Sequence, residues 1–209
     1  MKKIFLCLVA ALSIQAFGQI NYVDVVPTVG YHFGGRAYFY EGDIKIENNV
    51  TYGITLSVPV GWNVAGEFSW SRSDSKMKFI PIRQGYEPAE TDVASNYFLI
   101  GGMKELGEGP LKGFGGVSLG LAWFDIKDPS VSDAFRFSFS FTGGGKYMIS
   151  DRIGLRIQGR LLLPISFQGG GMYCGIGGGG SSCGVSVGGS VFLQGDISFG
   201  LIFRIGATE

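Results

Sequence analysis

The strict alternation of large apolar and small polar residues constrains this chain more than any other feature. Residues 135–142 read FRFSFSFT, so four phenylalanines share one parity, and Arg136, Ser138, Ser140 and Thr142 share the other. Successive side chains of a β-strand point to opposite faces, so this segment has one apolar and one polar surface. The segment therefore predicts a strand that separates an apolar environment from a polar one.

The same alternation recurs along the chain and predicts about eight strands. They cover approximately residues 26–34, 50–60, 64–72, 95–105, 113–125, 135–142, 153–163 and 191–205. The connections after the second, fourth and sixth strands are short, and the others are longer. This asymmetry is typical of outer-membrane barrels, which have short periplasmic turns and longer external loops. The sequence thus predicts an all-β fold, a closed antiparallel transmembrane barrel.

Parity alone does not say which face of the sheet meets lipid. A soluble lipocalin-like barrel also has about eight strands, but it places its apolar residues inside around a ligand. Here the polar parity is rich in Gly, Ser, Thr and Ala, which suit a narrow lumen, whereas the other parity is bulky and aromatic. We therefore expect the bulky residues to face lipid, and the soluble ligand binder remains the less favoured alternative.

The N-terminus has the pattern of a cleavable export signal. Lys2 and Lys3 precede a short apolar run, and Ala16 and Gly18 are small residues at the positions that a signal peptidase reads. Residues 1–18 are thus predicted to be a signal peptide and residues 19–209 the barrel domain. Removing two of the 17 basic residues leaves 15 against 17 acidic ones. Without a basic tract, nucleic acid is not expected as a partner.

In its phrases GYHFGGR, residues 30–36, and YGITL, residues 52–56, the chain resembles the small outer-membrane barrels of the OmpX/OmpA transmembrane type. It is also similar to the outer-membrane β-barrel proteins of Bacteroidetes-like bacteria. The resemblance covers essentially the whole mature chain and implies an address in the outer membrane of a Gram-negative bacterium. It also implies outer-membrane lipid and the barrel-assembly machinery as partners. Such barrels often end on an aromatic residue, whereas Phe203 is followed here by residues 204–209.

Charged residues of the polar parity are expected to meet inside the barrel. An isolated charge in a narrow lumen is costly, so charges there must pair or contact water. The candidates for a lumen charge network are Arg36, Glu67, Arg156, Arg160 and Asp196, with Gln194 as a further inward residue. Such a network predicts a lumen filled by side chains, and a narrow ion or solute channel is the alternative.

The sequence does not predict an enzyme. His32 is the single histidine, and Gly34 stands two residues later, so the His-x-Ser arrangement of lipid A deacylase barrels is missing. Nothing in the sequence places Ser69 or Ser71 beside His32. A lone histidine on a strand is more often a packing residue than a general base. No catalytic, cofactor-binding or metal-binding residues are therefore predicted.

Cys174 and Cys183 flank a glycine-rich stretch in the predicted last long loop, at about residues 168–189. Two nearby cysteines usually pair in the oxidising space outside the cytoplasm, so we predict a disulfide. Free thiols or a metal site are the alternatives. Neither histidine nor a third cysteine lies nearby, which disfavours the metal site.

The remaining candidates for function are the external loops and a set of aromatic residues. Residues 73–94 are predicted to form a long polar segment, of which residues 77–82 alternate and could extend a hairpin above the membrane. Tyr52, Trp70 and Trp123 are candidates for aromatic girdles at the lipid headgroups. We therefore predict a structural or interaction role, in which a rigid barrel displays loops to an extracellular partner.

Overall fold

The structure, a computed structural model, describes residues 22–38, 42–61, 63–82, 88–127, 133–177, 180–191 and 193–206. For residues 37, 38, 42 and 166–191 it describes the backbone alone. The predicted signal peptide, residues 1–18, lies outside the described residues and stays a prediction.

The described part of the chain is built from eleven strands. Their bounds are β1 Tyr22–Phe33, β2 Arg36–Tyr38, β3 Gly42–Ile46, β4 Asn49–Gly61, β5 Val64–Pro81, β6 Ala89–Leu106, β7 Leu111–Ile126, β8 Ala134–Met148, β9 Ile153–Gly177, β10 Gly180–Val191 and β11 Gln194–Gly206. No helix within the described ranges is long and apolar enough to cross a membrane.

Eight of the strands close into a ring. The order of hydrogen-bonded neighbours is β5-β4-β1-β11-β9-β8-β7-β6, and the pairing of β6 with β5 completes the circle. All of these pairings are antiparallel. The predicted fold, a closed antiparallel barrel of eight strands, is confirmed.

The ring has a short-turn end and a long-loop end. The short turns follow β4, β6 and β8, and Gly107 and Gly109 adopt positive φ angles of 95° and 86° in the second of them. Both ends of the described chain also lie at this short-turn end, where Tyr22 pairs with Gly206. The long-loop end carries β2 and β3 between β1 and β4, and β10 between β9 and β11.

Two segments predicted as loops are mostly extended strands, which corrects the sequence prediction. The hairpin extension predicted for residues 77–82 is present in β5, which continues to Pro81. Most of residues 73–94 belongs to β5 and β6, which pair continuously from Val64↔Lys104 to Phe79↔Ala89. The glycine-rich segment 168–189 is the hairpin of β9 and β10. Charged side chains in the first case and glycines in the second hide the strand pattern, because alternation is visible only where one face is apolar.

The two faces of the ring match the predicted orientation. Phe141, Leu119 and Phe199 are 52%, 47% and 58% exposed on the outside, whereas Ser138 and Ser140 are at most 1% exposed inside. The fourth predicted strand alternates less clearly, because Tyr97, Leu99 and Met103 compete with Phe98 and Ile100. The structure buries Tyr97, Leu99 and Met103 in the lumen. A lipocalin-like arrangement would place the bulky residues inside instead.

Aromatic residues mark the two ends of the outer apolar belt. Tyr52, Trp70 and Trp123 lie at neighbouring heights near the long-loop end, and the Trp123 ring stacks on Phe135 at 5.8 Å. Tyr147 lies near the other end, twelve residues from Phe135 along β8. Twelve residues span about 40 Å of strand, or about 30 Å when the strand is tilted by the usual angle. This height matches the hydrocarbon core of a bilayer.

Candidate functional site: the closed lumen

An ion pair bridges the full width of the lumen. Arg156 on β9 donates from Nη1 to Glu67 Oε1 at 2.5 Å and from Nη2 to Glu67 Oε2 at 3.2 Å. In the ring order, β9 stands four strands from β5, so the two residues face each other from opposite walls. The side chains of both residues are at most 10% exposed. The bidentate geometry is the strong form of an arginine–carboxylate contact.

Other groups hold the Arg156 guanidinium in place. Its Nε donates to Gln158 Oε1 at 2.8 Å, and its Cζ lies 4.3 Å from the centre of the Phe114 ring. Gln158 shares the inward face of β9, two residues along the strand. The arginine therefore has partners in three directions, as a buried charge requires.

A second ion pair lies nearer the long-loop end. Arg160 Nε donates to both carboxylate oxygens of Asp196, at 3.1 and 3.0 Å, and Nη2 lies 2.8 Å from Oδ2. The two residues are direct register partners on β9 and β11. His32 on β1 faces Asp196 in the next pairing of the ring. The structure thus brings four of the five predicted network residues into two lumen pairs.

Arg36, the fifth predicted network residue, does not join these pairs. It lies on β2 at the long-loop end, and its Nη1 is 3.7 Å from Asp43 Oδ2. The sequence prediction extended the inward parity of β1 past Phe33, but the chain leaves the ring there and starts a separate hairpin. Arg36 therefore pairs with Asp43 outside the lumen instead of joining the predicted network.

A neutral hydrogen bond crosses the lumen near the Arg160–Asp196 pair. Tyr97 on β6 donates its hydroxyl to Gln194 Oε1 on β11, and these strands also stand four apart in the ring. The Tyr97 ring contacts the rings of His32 and Phe124 at centroid distances of 6.2 and 6.3 Å. Two bridges of different chemistry therefore tie opposite walls together.

The short-turn end holds a charge network that sequence reasoning missed. Arg204 Nε and Nη2 donate to the two oxygens of Asp24 at 2.7 and 3.0 Å. Glu105 accepts from Lys112 at 3.2 Å and also from Lys146. These groups line one mouth of the barrel, where a cavity of about 140 Å³ lies beside Asp24, Glu105 and Lys112.

These residues were detectable by continuing the inward parity of the predicted strands. Lys146 follows Thr142 by four residues on β8, and Arg204 follows Ser198 by six on β11. Asp24 lies two residues before the predicted start of the first strand. Asp24, Lys112 and Lys146 lie outside the bounds of the predicted strands, whereas Glu105 and Arg204 lie within them and were not counted among the inward charges.

The long-loop side of the lumen also contains an apolar cluster. The buried cluster there comprises Ile46, Val93, Tyr97, Leu99, Ala122, Phe124 and Leu162, and Met77, Ile126 and Ala134 pack against it. Ion pairs and apolar clusters therefore both occur toward each end of the lumen.

The geometry around His32 does not resemble a catalytic centre. The His32 side chain is 2% exposed, and its Nε2 has no hydrogen-bond partner among the described residues. The described part of the chain also holds no group of three or more His, Cys, Asp or Glu residues that could bind a metal ion. A general base must reach its substrate, and this ring is enclosed by the barrel wall.

The two late cysteines are backbone partners in the β9–β10 hairpin. Cys183 pairs with Cys174 in the antiparallel register. Directly opposed residues have Cα atoms about 4.5–5.5 Å apart, within the range that a disulfide needs. The disulfide itself stays a prediction.

If the disulfide between Cys174 and Cys183 forms, the oxidised protein will gain no alkyl groups at these two cysteines until it is reduced, as measured by mass spectrometry. Alkylation of both cysteines without reduction would contradict it.

Beyond the aromatic residues, the β5–β6 hairpin carries a ladder of ion pairs. Lys76 Nζ lies 2.6 Å from Glu90 Oε1, and Lys78 Nζ lies 2.5 Å from Glu47 Oε1 and 3.4 Å from Glu90 Oε2. The hydrogen bond from Lys76 lowers the pKa of the Glu90 carboxyl, with a further contribution from Lys78. The hydrogen bond to Glu90 in turn raises the pKa of Lys76.

Solved structures share this architecture, although sequence comparison finds no relative. No protein-family model matches the chain, and no curated protein matches it by sequence. The crystal structure of Neisserial surface protein A matches with 14% identity over 90% of this chain and 97% of that one, at a TM-score of 0.53. The outer membrane protein OprG from Pseudomonas aeruginosa matches with 9% identity over 90% and 97%, at a TM-score of 0.58.

The chain has the fold of a small outer-membrane β-barrel. Identities of 14% and 9% show a shared fold and carry no activity or ligand across. The Glu67–Arg156 bridge and the apolar cluster are seen in the described residues of this chain and are not inferred from the matched structures. The question of function therefore depends on what such a lumen can conduct and what its loops can bind.

Proposed function

We propose that this protein is an integral outer-membrane β-barrel that conducts no solute and acts through the structures displayed at its long-loop end. Its lumen is closed by side chains, and its role is structural or interactive rather than enzymatic. The Glu67–Arg156 bridge carries this proposal, because it joins opposite walls of the ring across the lumen.

The outer surface supports a location in the outer membrane. An apolar belt about 30 Å high, bounded by aromatic residues, suits a bilayer, and the described backbone is paired around the ring, which leaves no strand edge in lipid. Insertion by the barrel-assembly machinery, after removal of residues 1–18, follows from this location. Fractionation will recover the protein with outer membranes, and unheated samples will migrate differently from heated ones in electrophoresis.

Conductance in planar bilayers tests whether the lumen is closed. We expect no steady conductance steps from the purified full-length protein. The double variant Glu67→Ala with Arg156→Ala removes the bridge. We therefore expect this variant to show channel openings more often than the unaltered protein. Glu90→Ala removes a carboxylate outside the lumen and serves as the control. Steady openings of one size from the unaltered protein would replace this proposal with a narrow channel.

A further inference from the structure

An apolar groove lies on the outer wall of the barrel near the short-turn end. Its volume is about 300 Å³, at the lower end of the range for small-molecule sites. It is lined mainly by outward-facing residues of the neighbouring strands β7, β8, β9 and β11, namely Leu111, Gly145, Tyr147, Leu155, Ile157 and Phe199. The outer belt therefore has a recess where it approaches the short turns.

The floor of the groove and of the wall beside it consists of glycine. Gly145 pairs with Gly113 on β7, and the next outward pair along these strands is Gly143 with Gly115. A Cβ at any of these four positions would approach no atom beyond its chain neighbours closer than 3.8 Å. At the inward Gly144, by contrast, a Cβ would lie 2.1 Å from a backbone oxygen. The packing of the barrel does not require glycine on the outside, and glycine within a strand often marks the close approach of a ligand to the backbone.

An unpaired cation lies at the base of the groove. Arg152 belongs to the short turn between β8 and β9, three residues before Leu155, or about 10 Å along the strand. Arg152 is exposed, and its guanidinium forms no ion pair with any residue that the structure describes, the adjacent Asp151 included. Tyr147, at the short-turn edge of the belt, lies between this turn and Gly145. The site thus combines an apolar recess with a positive charge at the height of the lipid headgroups.

We propose that the groove binds one acyl chain of an anionic glycerophospholipid of the periplasmic leaflet, whose phosphate contacts Arg152. This inference rests on the proposed location in the outer membrane, where the short turns face the periplasm. A guanidinium presents several donors to phosphate oxygens and keeps its charge at any physiological pH. An acyl chain that follows the membrane normal from this headgroup passes Tyr147 and reaches the glycine floor.

A phospholipid fits the groove better than a second copy of the chain. Acyl chains surround the barrel in any bilayer, so a second copy would first have to displace them. Oligomers of one chain are usually symmetric, and a two-fold axis along the membrane normal would place the two Arg152 side chains at the same height, facing each other. Like charges repel each other there, whereas an anionic headgroup neutralises the arginine.

Native mass spectrometry of the purified, detergent-solubilised full-length protein tests the proposal. The probes are phosphatidylglycerol and phosphatidylethanolamine with identical acyl chains. Arg152→Gln removes the cation, and Gly145→Leu fills the groove. The matched controls are Lys104→Gln, at another exposed cation without an ion pair near the short turns, and Gly66→Leu, at an outward glycine of β5 where a Cβ would approach no atom closer than 4.0 Å. Heat-dependent migration verifies that each variant is folded.

We expect the unaltered protein to retain one phosphatidylglycerol more strongly than phosphatidylethanolamine. Arg152→Gln will weaken the binding of phosphatidylglycerol about fivefold and remove this preference, because one charge contact with the headgroup is lost. Gly145→Leu will weaken the binding of both lipids, since they share the same acyl chain. Lys104→Gln and Gly66→Leu will bind both lipids as the unaltered protein does.

Three results would overturn the proposal. The first is unchanged retention of phosphatidylglycerol by Gly145→Leu, and the second is an equal loss in Arg152→Gln and Lys104→Gln. The third is a dimer without retained lipid that Gly145→Leu dissociates, which would assign the groove to a second copy of the chain.

Failure of this proposal can be distinguished from failure of the proposed function. If the bilayer recordings stay closed and the protein is recovered with outer membranes while no lipid is retained, the lipid proposal alone fails. Recovery of the protein in another fraction would contradict the proposed location, whereas lipid retention by the purified protein is measured independently of it.

Discussion

At the scale of single residues, the lumen of an eight-stranded barrel is so narrow that some positions of its wall accept only a small side chain. Gly120 on β7 shows how tight the fit is, since a Cβ at this position would overlap the carbonyl oxygen of Phe98 on β6. Gly115 lies on the same strand with the opposite parity, and a Cβ there would meet no atom within 4 Å. Glycine is therefore required at position 120 for steric reasons, whereas position 115 has room for a larger residue.

We predict that Gly120→Ala will lower the free energy of unfolding by about 2 kcal/mol or more, because the backbone of β6 or β7 must move. Gly115→Ala will change it by less than about 0.5 kcal/mol, as expected for a substitution without new contacts. Urea unfolding of the protein in lipid vesicles measures both. Equal effects at the two positions would show that the spacing of β6 and β7 differs from that described.

The cross-lumen bridge gives a second prediction at the residue scale. Arg156→Ala will leave the Glu67 carboxylate buried without its cation and will destabilise the barrel by about 3 kcal/mol. Adding Glu67→Ala will recover part of that loss, since the uncompensated charge is removed. The coupling free energy from a double-mutant cycle measures the bridge. Strictly additive effects would mean that the two side chains do not interact.

At the scale of elements, β5 and β6 are longer than a bilayer requires. Each has 18 residues, whereas about 9–11 suffice for a transmembrane strand. Their upper halves therefore form a hairpin outside the membrane, stabilised by the ladder of Lys76, Lys78, Glu47 and Glu90. Since both β3 and β6 pair with this part of β5, the hairpin also holds β3 in place.

The stability of this hairpin will depend on pH. The pKa of Glu90 is lowered in the folded state, so its contribution is present above the ordinary glutamate pKa and is lost as pH falls through the folded value. Amide exchange at residues 76–79 and 89–92, corrected for the intrinsic pH dependence, will therefore show lower protection below about pH 4. Glu90→Gln will reduce protection at neutral pH and remove this pH dependence. An unchanged pH profile in Glu90→Gln would assign the effect to another group.

At the scale of the whole molecule, the closed ring sorts its side chains by environment. Bulky residues cover the outside at the height of the bilayer, and paired charges fill the inside. Lipid contact makes the outside intolerant of charge, although soluble surfaces accept charge readily. This difference allows the orientation of the sheet to be tested with single substitutions.

We predict that Phe139→Arg, in the outer belt of β8, will lower the free energy of unfolding in lipid vesicles by about 2–4 kcal/mol. Ile82→Arg is the control, because Ile82 is 68% exposed at the end of the hairpin above the belt. It will change the unfolding free energy by less than about 0.5 kcal/mol. Tolerance of arginine at Phe139 would contradict the assignment of that face to lipid.

The sequence by itself determined the barrel, the number of ring strands and, for every ring strand except β6, the face that turns outward. This was possible because side-chain alternation is local, as residues 135–142 show within eight positions. Strand ends were less predictable, since glycines and charges in residues 73–94 and 168–189 interrupt the pattern while the backbone pairing continues.

Only the tertiary structure decided which charges meet. Glu67 and Arg156 are 89 residues apart, and their contact depends on closure of the ring and on the stagger of its strands. Arg36 likewise lies outside the lumen and opposite Lys45, because the chain leaves the ring after Phe33. Parity fixes the side of the sheet on which a residue lies, whereas the register around the closed barrel fixes its height and its partners.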